Sequence, residues 1–331
     1  MPSTLNLRAA LFGLAWLPLA ASVAMAGPLD KPECIAPAKP GGGFDLTCKM
    51  AQTMLSVNQL SSSPLRVTYM PGGIGAVAYN AVVAQRPGEP NTIVAFSGGS
   101  LLNLAQGKFG RYTVDDVRWL AALGADYGAV IVKKDSPFQS LKDVVAALQK
   151  DPTKVVFGAG GTVGSQDWMK AALTARAAGV NPRAMRFVAF EGGGEAVTAL
   201  QGGHIQVYSG DAAEASQQIS AGTPIRVLAV FAEQRLPGAM SKVPTAKEQG
   251  YDITWPIIRG FYMGPKVSDA DFKAWEGAFR KAMAQPAYAT LREERGLFPL
   301  TLTGPELDAY VKRQTQQYAE LAAELGLLVR K

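Results

Sequence analysis

The sequence predicts an α/β protein with mostly parallel sheets, and three observations carry that reading. At 331 residues the chain has the length of two ordinary domains. Short β-rich apolar runs alternate along it with stretches whose apolar residues recur at helical spacing. Glycine, 35 residues in all, gathers where such a run ends and a helical stretch begins.

In chain order, residues 1–26 read as an address label. Arg8 supplies a positive start, 9–24 is apolar with Trp16 and Pro18 inside it, and Ala24-Met25-Ala26 is a small-x-small cleavage site. The apolar run is short for a bilayer span of about 20 residues. A secretory signal peptide cleaved near Ala26 is expected, with a mature protein in the periplasm; an ordinary buried N-terminal helix is the alternative. Cys34 follows Lys31-Pro32-Glu33 instead of a small-residue lipobox, so no lipid anchor is expected.

Strands are expected at 34–38, 65–70, 92–97, 119–124, 129–133, 155–158, 185–190, 205–209, 225–231 and 260–263. Helices are expected at 46–60, 140–150, 166–178, 194–202, 269–284, 287–295 and 306–325. Ser268 before an acidic first turn, and Thr303 before Pro305-Glu306, are N-cap signatures. The nearly all-helical C-terminus is expected to wrap back onto an earlier domain.

The residue inventory excludes several chemistries. With one histidine, His204, and two cysteines, Cys34 and Cys48, the usual Cys/His zinc sites and a haem-attachment motif cannot be assembled. A Ser-His-Asp triad would have to run through His204, which reads as part of a turn entering a strand. Lys and Arg number 33 against 27 for Asp and Glu, a formal +6 without a run of like charges, so no nucleic-acid partner is expected. Export takes Arg8 with it, which lowers +6 to +5. Export also gives the cysteines an oxidising compartment. A bridge closing their loop would contribute roughly 3 kcal/mol, the alternative being two buried thiols. No metal, cofactor or catalytic residue is assigned.

Ligands of open α/β sheets sit beyond the carboxyl ends of the strands, where loops lead into helix N-termini. Five glycine-bearing loops stand at such places: 40–45, 97–100, 158–166, 191–194 and 209–211. Glycine lets backbone N–H groups approach a ligand, and a helix N-terminus adds about half a positive charge. Several of them on one cleft would bind an anion with few formal cations. The 158–166 loop fails the dinucleotide register because Val163 stands where its last glycine belongs. Neither a phosphate-binding loop nor a nucleophile elbow occurs. Asp45 reads either as a helix cap or as an acceptor facing the ligand.

The segment from Cys34 through Pro40-Gly41-Gly42-Gly43-Phe44-Asp45 to Cys48, after a signal peptide, resembles the start of tricarboxylate-binding receptors of tripartite tricarboxylate transporters. These belong to the wider Bug family of extracytoplasmic solute receptors. The likeness continues through Pro71-Gly72-Gly73-Ile74-Gly75-Ala76, the 160–166 loop, and Phe190-Glu191-Gly192-Gly193-Gly194-Glu195. It ends in Arg259-Gly260-Phe261-Tyr262-Met263-Gly264-Pro265 and so covers the mature chain. The cysteine-bracketed first loop looks like the citrate-type branch, since the general family usually lacks those cysteines.

The resemblance implies a two-lobed periplasmic-binding fold of type II kind, each lobe a mostly parallel sheet flanked by helices, with the ligand cleft between lobes. Residues 27–126 plus 254–331 would form one lobe and 127–253 the other. It implies ligand contacts at Gly42, Gly43, Phe44, Asp45, Ser97, Thr162, Gly164, Ser165, Gln166, Gly193 and Asp211. Lys39 and Arg259, beside these motifs, are the candidate cations for a tricarboxylate. The implied function is capture of a di- or tricarboxylate, citrate first, by a monomer that delivers it to large and small membrane subunits. The rival is an exported hydrolase or isomerase acting on a small carboxylate through Asp45, Glu191 or Asp211. Its mark would be two carboxylates of separated pKa in one cleft.

Overall fold

The computed structural model describes residues 29–329, so the expected signal peptide at 1–26 lies outside the described residues. The first sheet starts with β1 (Glu33–Ala36), which pairs in parallel with β2 (Arg66–Tyr69) and β3 (Thr92–Ser97). β1 and β3 are buried at every position, as apolar runs covered on both faces must be. Helix α1 (Gly43–Val57) makes the crossover to β2 and buries Leu46, Met50 and Met54, one turn apart. A short helix, α2 (Ala76–Asn80), precedes β3, and α3 (Gly98–Ala105) follows it at once. Residues 97–100, expected as a loop, are the capped start of that helix. The Ser97 hydroxyl accepts from the Gly99 N–H (3.2 Å) and Ser100 Oγ from the Ser97 N–H (3.3 Å). That cap offsets the weak helix propensity of two glycines.

The second sheet contains β5 (Val156–Gly160), paired in parallel with β6 (Arg186–Phe190) and β7 (Val207–Asp211). α4 (Leu141–Lys150) precedes β5, and α5 (Gln166–Ala177) and α6 (Gly193–Gln201) connect β5 to β6 and β6 to β7. After β7 come α7 (Ala212–Ser220) and β8 (Ile225–Phe231), the helix again absent from the sequence expectation.

Strand β4 (Arg118–Lys133), expected as two strands, is continuous and belongs to both sheets. From Arg118 to Tyr127 it pairs antiparallel with β9 (Pro256–Met263), and from Gly128 to Lys133 with β7 and β8. Ala-Asp-Tyr-Gly at 125–128 looks like a turn, yet Asp126 is fully buried within the strand. Its Oδ1 accepts from the N–H groups of Tyr127 (2.8 Å) and Ala213 (3.0 Å), which removes the cost of a polar residue there. Each sheet is therefore mixed: parallel among its outer strands and antiparallel along β4, which runs against β9 in the first sheet and against β7 and β8 in the second.

The remaining elements are α8 (Asp269–Met283), α9 (Pro286–Glu294), β10 (Leu302–Thr303) and α10 (Gly304–Glu324). They come back onto the first sheet. β10 pairs with β4, α10 packs on α3 and β4, and Trp275 of α8 donates its indole N–H to the Pro90 carbonyl (2.8 Å).

Cys34 of β1 and Cys48 of α1 form a disulfide, their Cα atoms 5.7 Å apart and both side chains fully buried. It ties the strand to the helix across the first glycine loop. The double substitution Cys34→Ala with Cys48→Ala should lower unfolding stability by about 3 kcal/mol in urea titration; an unchanged midpoint would show that packing alone holds the loop.

Candidate functional site

Five helix starts meet in one place. Gly42 and Gly43 at α1, Ser97 before α3, Gln166 opening α5, Gly193 opening α6 and Asp211 before α7 line a narrow cleft of about 40 Å³. Phe44 and Arg259 complete its wall. Two of the glycines are required by close approach. A Cβ on Gly43 would collide with the Arg259 guanidinium, and one on Gly193 with the Glu214 carboxyl.

The floor of this cleft is a buried ion network. Lys170, with no exposure, pairs with Asp211 (2.5 Å) and Asp167 (2.8 Å) and donates to the Gly210 carbonyl (2.7 Å). Arg259, 2% exposed, pairs through Nη2 with Asp126 (2.8 Å) and with Asp211. Asp167 also accepts from the Gly160 N–H (2.9 Å), and the Tyr208 hydroxyl donates to Glu214 Oε2 (3.1 Å). Arg259 Nε and Glu214 Oε1 have no partner among the described residues.

Four carboxyls thus face two cations, and their environments part them. Burial works against the Asp211 carboxylate, but Lys170 and Arg259 outweigh it and hold its pKa below the ordinary value. Burial pushes Asp126 and Asp167 up despite their cations. Glu214 has no cation of its own. Burial raises it well above the usual range, and the nearby Asp211 and Asp167 reinforce the shift.

A second, roomier chamber of about 210 Å³ adjoins the cleft and shares Ile74 with it. Thr162 and Ser165 lie on its wall with Asn103, Lys108 and Phe190. Ser165 Oγ is already engaged: it donates to the Gly160 carbonyl (2.9 Å) and accepts from the Trp168 N–H (3.2 Å) as the cap of α5. Thr162 is exposed.

The expected contact residues therefore divide. Gly42, Gly43, Phe44, Ser97, Gln166, Gly193, Asp211 and Arg259 line the inner cleft, and Thr162 and Ser165 the outer chamber. Gly164 lines neither, its carbonyl accepting from Gln106 Nε2 (2.7 Å). Asp45 and Lys39 line neither. The Asp45 carboxylate accepts from the Gly41 N–H (2.8 Å), Lys49 (2.8 Å) and the Tyr69 hydroxyl (2.9 Å), so it pins the loop. Lys39 points outward, paired with Glu195 at 2.5 Å. Asp126, Lys170, Tyr208 and Glu214 escaped the sequence reading. Asp167 and Lys170, three apart on a helix, were a legible pair, but their burial was not.

Residues 65–327 match the family model described as tripartite tricarboxylate transporter family receptor. A UPF0065 protein of Bordetella pertussis is 22% identical over 294 residues, which cover 88% of each chain. The solved structure of periplasmic binding protein BugD superposes with a TM-score of 0.79 at 20% identity, covering 92% of this chain and 100% of that one. MatC from Rhodopseudomonas palustris, described with bound malate, gives 0.75 at 19% identity, covering 88% and 99%. The two-lobed fold of periplasmic binding proteins is shared with these structures.

Two outcomes follow from the buried charges. Arg259→Met leaves Asp126 and part of Asp211 without a cation and should cost about 3–5 kcal/mol in urea unfolding; a loss below about 1 kcal/mol would mean the pairs are solvated. With its pKa raised by burial, Glu214 holds its proton to higher pH in the folded state than in the unfolded chain, so its contribution to stability falls as pH rises above the ordinary carboxyl range. Glu214→Gln should therefore be near neutral at pH 4 and stabilising at pH 7, by up to about 1.4 kcal/mol per unit of raised pKa. An equal effect at both pH values would mean that Glu214 is ionised in the fold.

Proposed function

Since the chain belongs to the tripartite tricarboxylate transporter receptor family, we propose that it is a periplasmic receptor that captures a small di- or tricarboxylate, citrate first among them, for delivery to the large and small membrane subunits of such a transporter. The convergence of five helix starts on one cleft carries this reading. A helix start offers N–H groups without an intrahelical partner and about half a positive charge, so it attracts an anion without spending a formal cation on it. The cations of the floor are already engaged by carboxylates, and those carboxylates repel an anion at close range. The ligand accordingly sits above the floor and extends towards Thr162 in the larger chamber. The malate described in MatC supports the same chemical class.

In this reading 27–126 with 254–331 forms one lobe and 127–253 the other, and the ligand holds them closed by binding that form better. Contacts already joining the two segments support it: Gln106 donates to the Gly164 carbonyl, and Lys39 pairs with Glu195. The receptor works as a monomer and carries out no chemistry.

One observation favours the enzymatic alternative, an exported hydrolase or isomerase. Asp211, held low, and Glu214, held high, line the same cleft. Yet each Asp211 oxygen already meets a cation, Lys170 on one and Arg259 on the other, so it is not free to take up a proton. Incubation with carboxylates followed by mass analysis separates the two, because a receptor returns its ligand unchanged.

In a thermal-shift screen, citrate, malate or a related carboxylate should raise the melting temperature, by an amount equivalent to about 2.7 kcal/mol at a hundredfold excess over Kd, with neutral sugars inert. No response to any carboxylate would end the receptor reading. Thr162→Val, which removes an exposed hydroxyl without disturbing a cap, should weaken binding about tenfold. Ser165 is the poorer probe, since its loss would also uncap α5.

A further inference from the structure

One lysine, Lys108, lines the outer chamber. Lys108 lies in the turn after α3, half-buried, and among the described residues its ammonium donates to the Val163 carbonyl alone (2.8 Å). No carboxylate pairs with it among the described residues. Burial alone acts on it, pushing its pKa down to about 8. Partial desolvation of an unpaired ammonium is costly, and it is offset when a carboxylate arrives. A second observation marks the chamber as one built for a polar guest. Asn103, 3% exposed, lines it with Lys108, and its Oδ1 has no partner among the described residues while its Nδ2 donates to the Ile74 carbonyl (3.3 Å).

Ile74 forms the partition between cleft and chamber, and it has φ +46°, a conformation that costs a β-branched residue roughly 1–3 kcal/mol. The strain is retained where the side chain packs against Gly161, at the junction of the two compartments. A ligand whose first carboxylate meets the helix starts would pass Ile74 to reach Lys108. The other charged groups of the chamber are Glu191 and Glu195, and Glu195 is held by Lys39.

We propose that Lys108 receives the second carboxylate of the ligand and so makes this receptor selective for dicarboxylates over otherwise identical monocarboxylates. The inference rests on the carboxylate-receptor reading and adds to it the residue that decides substrate class. Asn103 Oδ1 supplies an acceptor beside it for a hydroxyl of the same ligand.

The test compares succinate, malate and adipate with their mono-amides, by calorimetry, on the wild-type chain, Lys108→Gln and Lys108→Arg. The wild type should prefer the dicarboxylate about 10- to 100-fold, the strength of one charge-assisted hydrogen bond. Lys108→Gln should reduce that preference to within about threefold while leaving mono-amide affinity nearly unchanged, and Lys108→Arg should restore most of it. A Lys108→Gln variant that keeps the preference overturns the assignment. Equal loss for both members of each pair also overturns it, leaving Lys108 as a latch onto Val163. A wild type that binds none of these compounds overturns the receptor reading itself, which is a different outcome from either. Melting temperatures of the two variants exclude misfolding as the cause.

Discussion

The salt bridge between Arg259 of β9 and Asp211 at the end of β7 is the contact on which the arrangement of the site depends. It joins a strand of the first sheet to a strand of the second, and both side chains are nearly out of solvent. A charge in that position is costly unless an opposite charge pairs with it. Asp126 therefore sits beneath Arg259, and Lys170 beneath Asp211. The glycines at 43 and 193 follow from the same constraint, because the guanidinium and the Glu214 carboxyl occupy the space a Cβ would need.

This network decides what is left to recognise a ligand. Arg259 and Lys170 are the deepest cations of the cleft, and carboxylates already neutralise them. Positive potential towards the solvent comes instead from the starts of α1, α3, α5, α6 and α7, whose N–H groups need no side chain. Serine hydroxyls at 97 and 165 contribute indirectly, by capping α3 and α5 and so orienting those N–H groups. An anion site of this kind is sequence-poor in charge and rich in glycine, which matches a formal charge of only +6 spread along the whole chain.

Much of this was legible before the structure. The five glycine loops stand out by their place between strand and helix, and all five contribute to the cleft. The strand ends of an α/β sheet lie on one side, so loops remote in sequence become neighbours there. Of the elements that depart from expectation, three do so for clear local reasons. A serine cap turns 97–100 into the first turn of α3, α7 begins directly from the strand end at Asp211, and a buried Asp126 passes for a turn in the middle of β4. Asp45 and Lys39, grouped with the ligand contacts by their motif, are engaged within the protein by Gly41, Lys49 and Tyr69 in one case and by Glu195 in the other.

By itself the sequence determined the α/β class and the loops that would gather at the strand ends, and it offered the cysteine pair that the structure joins across the first loop. Those features are local: they depend on residue periodicity, on cap and glycine chemistry, and on spacing within a few turns of chain. Only the tertiary structure decided which charges neutralise one another and which stays free. Asp126, Lys170, Asp211 and Arg259 are up to 133 residues apart in the chain, and whether a cation meets a carboxylate or a ligand depends on burial and distance. Neither can be read from neighbours in the sequence. Lys108 and Arg259 are equally basic as letters. Burial beside two aspartates commits Arg259 to the fold, while the absence of such a partner among the described residues leaves Lys108 available at the chamber wall.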